Sequence, residues 1–280
     1  MTDATPDPPA LSQARARADA RAAGSVTHIV PEMPMQPLVT VSVIALCGLL
    51  TVSAFAGPVL VAATVALAAG IIAWGWPGLL GLPSPRGTTF VVAVGAAAAI
   101  GTVLATRGEP FLEWMPAALA GSLIVAFLHQ LARRDGRPRL VESIASNITA
   151  IAIIVSGATF VVLPRTEQGA QMVALAMGAV AASAVTELAG ASTRLRGWLL
   201  PLGMLAGGLA GLAVGLRIGA VTWGPAALLG GLVAAVGHAV RRVLAVLPAI
   251  SGPRSQLVSA CASVLSVGVV VYVAGRLLEA

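Results

Sequence analysis

The chain has 280 residues, of which 58% are hydrophobic and 10% charged, with a mean hydropathy of +0.93. A soluble domain carries about 45–50% apolar and about 25% charged residues, so this composition excludes an ordinary water-soluble protein. All 17 basic residues are arginine and, against 11 acids, they leave a net charge of +6; they fall in short groups between apolar runs, which argues against a nucleic-acid-binding face.

Residues 1–36 are mostly polar, with Pro6, Pro8 and Pro9 followed by Arg15, Arg17 and Arg21. This opening does not read as a signal peptide and predicts a disordered cytoplasmic tail. From residue 37 onward, runs of about 20 apolar residues are bounded by charge, Pro or Gly, the length a bilayer-crossing helix needs. Nine such spans are read at 37–56, 59–79, 88–106, 114–132, 141–163, 169–189, 198–216, 219–240 and 256–276. The expected fold is therefore an all-α integral membrane protein, a polytopic domain over 37–280. Cys47 and Cys261 lie inside the first and last spans, with no CxxC pair and no neighbouring His, and read as small apolar core side chains. The connection at Gly57-Pro58 is short enough to make the first two spans an antiparallel hairpin.

The fourth span introduces an internal match. Residues 114–129 (WMPAALAGSLIVAFLH) and 223–238 (WGPAALLGGLVAAVGH) agree at nine of sixteen positions, including Trp114/Trp223, Pro116/Pro225 and His129/His238. Arginine pairs, Arg133-Arg134 and Arg241-Arg242, follow both. The offset of 109 residues covers four helices, which predicts two parallel four-helix repeats, about 37–134 and 140–242, and an extra helix at 256–276. Trp at one interface, Pro in the first turn and Arg at the other interface are ordinary span design. The histidines are not required by that design. They read either as lining a vestibule that binds an anion or relays protons, or as interfacial anchors at the negative ends of their helices. The four arginines read as contacts to an anion or to anionic lipid headgroups.

The fifth span is the most polar. Glu142, Ser146, Thr149 and Ser156 follow helical spacing, with Ser143 and Asn147 beside them. The stripe either lines a water-filled path, with Glu142 and Asn147 as candidate pathway residues, or hydrogen-bonds to neighbouring helices. Glu142, in the first turn, is also placed to pair with Arg137 or Arg139. In the sixth span Glu187 falls at the C-terminal end, where the helix dipole disfavours an acid; it reads either as a candidate pathway or vestibule residue or as an acid compensated by Arg194 and Arg196, near in sequence. The seventh span carries Gly203, Gly207, Gly211 and Gly215, a four-residue ladder that lets another helix approach backbone to backbone.

With the N-terminus placed inside, thirteen of the seventeen arginines fall on the cytoplasmic side, which predicts a plasma-membrane protein with its C-terminus outside. No Walker A, HExxH or GxSxG motif occurs, so no enzyme activity, metal or cofactor is expected. Two readings of function stand. One is a small permease or channel-like transporter of a solute, with an anion favoured by the arginines, moving between the two repeats. The other is a structural or accessory subunit that packs against anionic lipid, a membrane protein partner or a second copy of itself.

Overall fold

Inside hydrocarbon every backbone N–H and C=O must be satisfied within the chain, which for sequences of this kind leaves the helix as the spanning element. A computed structural model describes residues 37–134, 136, 138–191, 195–219 and 222–279; the tail expected at 1–36 lies outside them. The described residues are helical without strands. They form α1 (Pro37–Ala56), α2 (Pro58–Leu79), α3 (Pro85–Ala105), α4 (Met115–Ala132), α5 (Leu140–Ala158), α6 (Gly169–Thr186), α7 (Leu199–Ile218), α8 (Trp223–Ala245), α9 (Pro253–Leu265) and α10 (Gly268–Glu279). Proline stands in the first turn of α2, α3, α4 and α9, where its missing N–H would be unbonded in any case. At the other end of α7, Gly219 takes the left-handed conformation (φ 65°) and donates its N–H to the Gly215 carbonyl.

Nine spans among the described residues are long and apolar enough to cross a bilayer, so the chain is a multi-pass membrane protein. Successive spans reverse direction. The face from which α1 starts, termed here the N-side, thus also receives the ends of α2, α4, α6 and α8.

Packing does not follow chain order. Helix α5 packs against α2, α3 and α4, whereas α6, α7 and α8 pack together and α1 lies against both α6 and α2. Helix α9 lies against α1, α2, α5 and α8, joining the two groups. The α7–α8 contact is backbone to backbone: a Cβ on Gly230 would sit 2.4 Å from the Gly207 carbonyl oxygen, and one on Gly211 would sit 2.8 Å from that of Ala226. The glycine ladder is thus buried inside the chain, with Gly203 turned toward Ser183 of α6.

Two spans expected as single helices are interrupted. The fifth continues past α5 as short 3-10 turns, Thr159–Val161 and Leu163–Arg165, and the ninth is broken at Ser266 and Val267, between α9 and α10. The two breaks meet. The Ser156 hydroxyl donates to the Ser266 carbonyl (2.9 Å) and accepts the Val269 N–H (3.0 Å), so a single side chain satisfies two backbone groups at the break. Gly268 fits against the Ser156 carbonyl, which a Cβ would approach to 2.1 Å.

Candidate functional site

Along α5 every third or fourth residue returns to the same face, and the edge formed by Glu142, Ala145, Ser146 and Thr149 borders a cleft of about 390 Å³. Its other walls are Trp76, Leu80 and Leu82 at the end of α2, and Val243, Leu244 and Leu247 at the end of α8. The mouth is on the N-side. From Leu140 to Thr149 is nine residues, about 13 Å at 1.5 Å per residue along α5, while the α2 and α8 walls come from the last turns of those helices and the residues just after them, so the cleft lies at the N-side end of the bundle. The Trp76 indole lines it and donates its Nε1–H to Ser146, at 2.9 Å to Oγ and 3.1 Å to the carbonyl. At the rim Arg139 pairs with Glu142 and donates from Nη1 to the Gly81 carbonyl (2.7 Å), tying the start of α5 to the end of α2. An apolar hollow with a few hydroxyls and a charged rim suits a small amphipathic molecule, and its volume falls in the usual range of about 300–1,000 Å³.

One turn farther from the N-side, on the same α8, lies a buried charge cluster. Helix α6 stops at Thr186, and Glu187 begins a 3-10 segment. The acid at this unfavourable end of the dipole is held from α8: Arg241 donates Nε–H to Glu187 Oε1 (2.7 Å), and His238 Nδ1 lies 2.9 Å from the same oxygen. Arg241 also donates from Nη2 to the Ser183 hydroxyl (3.2 Å). Its guanidinium leans back over Gly237, where a Cβ would come within 3.2 Å of Nη1. The side chains of Arg241 and His238 are 3% and 5% exposed and that of Glu187 21%, so the group is nearly withdrawn from solvent. The compensation expected from Arg194 and Arg196 concerns residues that are not described or whose side chain is not described; Arg241 and His238 do the holding.

The remaining sequence candidates fall in several places. His129, though matched to His238 in sequence, has a different setting: it packs on the first turn of α3, where Gly87 leaves room for the ring, with Nε2 3.4 Å from the Ser84 hydroxyl. Arg134 and Arg242 are exposed, while Arg133 and Arg241, read as headgroup contacts, are buried. Arg133 donates from Nη1 to Gln130 Oε1 (2.8 Å). Asn147 lies on a different face of α5 from the cleft and is fully buried. Trp76, Ser183 and Gln130 were not singled out from sequence. A lone amide beside His129 in an apolar helix was the available signal for Gln130, whereas nothing local marks Trp76 or Ser183.

Among the described residues, no three of His, Cys, Asp and Glu come together as a metal-ligating group. Compared with protein-family models, curated proteins and solved structures, the chain shows no match.

Proposed function

We propose that this chain is a permease for a small amphipathic organic solute, and that the cleft beside α5 is the cytoplasm-facing end of its path. The observation that carries this reading is the cleft itself, which follows the polar edge Glu142–Ser146–Thr149 inward from the N-side. Interrupted spans are a second support, because carriers use broken helices where a path must open and close. The contact of α1 with α6 and of α5 with α2 pairs each repeat's first helix with the other repeat's second, which supports two parallel four-helix repeats with a path between them. The arginine excess of the N-side supports a cytoplasmic N-terminus in the plasma membrane and favours an anionic solute at the mouth. Exposed Arg134 and Arg242 are placed to contact anionic lipid headgroups.

The accessory-subunit reading needs a docking face, and the glycine ladder that suggested one is used within the chain. The test is flux in proteoliposomes holding purified protein and a panel of small carboxylates, sulfonates and phosphate monoesters. The expected result is protein-dependent uptake of at least one class, reduced at least tenfold by Thr149→Trp, which fills the cleft. Absence of uptake across the panel, or uptake that ignores the tryptophan, would count against the proposal.

A further inference from the structure

We infer that a small anion, of halide size, binds in a second site between α3, α4 and α5, on a face of α5 other than the one lining the cleft. Three side chains carry the inference. Gln130 Nε2, Ser143 Oγ and both polar side-chain atoms of Asn147 are buried without a hydrogen-bond partner, in residues 2%, 1% and 0% exposed. Buried polar groups are almost always satisfied, so an orphaned set in one place marks a missing partner.

They share one level of the bundle. A Cβ on Gly95 of α3 would touch both Ile151 of α5 and Ser122 of α4, which puts these three residues in one layer. Helix α4 runs opposite to α5. Steps of four residues toward the N-side therefore lead from Ser122 through Ala126 to Gln130, and from Ile151 through Asn147 to Ser143. Side chains lean toward the start of their own helix. Gln130 thus leans away from the N-side and Asn147 leans toward it, so the two amides converge, with Ser143 at the same depth.

Donors outnumber acceptors in the layer, with the Asn147 amide oxygen the one unpartnered group there that can only accept. A guanidinium only donates, so the oxygen of Gln130 must be the atom facing Arg133, and that fixes Nε2 as the end aimed into the layer. Asn147 offers a second N–H pair and Ser143 a hydroxyl. Ser143 and Asn147 lie within the first two turns of α5, at the positive end of its dipole, while Gln130 comes from the last turn of α4. Amide and hydroxyl donors around a dry site, with the Arg133 cation behind one of them, match a compact acceptor bearing negative charge.

The test uses the full chain in nanodiscs of neutral phosphatidylcholine, with gluconate replaced by chloride or bromide at constant ionic strength. The unfolding midpoint of the wild type should rise saturably by a few degrees, as for any ligand bound only by the folded state. Gln130→Leu and Asn147→Leu should abolish the rise; Asn147→Leu should also keep or raise the halide-free midpoint, because it removes only unpaired polar atoms, whereas Gln130→Leu also deletes the acceptor of Arg133. Asn147→Asp, close to isosteric, covers failure of the leucine variants to fold: its added negative charge should also abolish the rise. A wild-type midpoint indifferent to both halides, as a layer holding only water would give, overturns the site. So does a halide response that survives in the folded variants. Flux through the cleft is not read, so failure here is separate from failure of the transport proposal.

Discussion

Arg241 of α8 and Glu187 after α6 are joined at 2.7 Å through Nε and Oε1, within a cluster only slightly open to solvent. Removing one partner of a buried pair leaves the other charged and uncompensated, at a cost of about 3–5 kcal/mol. Glu187→Ala should therefore lower the unfolding midpoint in detergent markedly. Arg241→Met in the same chain should recover part of the loss, because it removes the stranded cation. A single Glu187→Ala variant as stable as the wild type would show that the pair contributes nothing to holding α6 and α8 together.

The joint between the interrupted spans makes a second prediction. Ser156→Ala deletes the acceptor of the Val269 N–H and the donor to Ser266, which should cost about 1–3 kcal/mol for a buried backbone group left unsatisfied. Gly268→Ala should be worse, since its Cβ would be driven to 2.1 Å from the Ser156 carbonyl. Thermal unfolding of both variants in one detergent checks the order.

The glycines supply an internal control. Gly230→Ala places a methyl 2.4 Å from the Gly207 carbonyl and should force α7 and α8 apart, lowering stability by more than 2 kcal/mol in the manner of an overpacked core. At Gly121 of α4 nothing lies within 4 Å of an added Cβ, and alanine there should be neutral or stabilising by up to about 1 kcal/mol through helix propensity. Equal responses at the two positions would contradict the close α7–α8 packing.

The spans were legible because length and apolarity alone decide them: 37–56 and 169–189 coincide with spans Pro37–Ala56 and Gly169–Ala189. The interruptions were not, because Ser156-Gly157 and Ser266–Gly268 sit in runs whose apolarity continues on either side. The groups freed at the ninth span's break are satisfied by Ser156 of the fifth, more than a hundred residues away. Glu187 stood out as an acid at the wrong end of a helix, but its partners lie more than fifty residues away, and nearby arginines looked sufficient. The polar face of α5 was visible as a pattern, although which part of it borders a cleft and which part is buried depends on the neighbours that α2, α4 and α8 supply.

Thiol accessibility at Thr149 tests the transport path most directly without knowledge of the solute. In a chain with Cys47 and Cys261 replaced by alanine, Thr149→Cys is exposed to a membrane-impermeant maleimide, in inverted vesicles for the cytoplasmic side and in intact cells for the outer side. A path that opens alternately predicts modification from both sides, slower from outside, where the interrupted spans must first move apart. Modification from the cytoplasmic side alone, or from neither, would contradict a transmembrane path through the cleft.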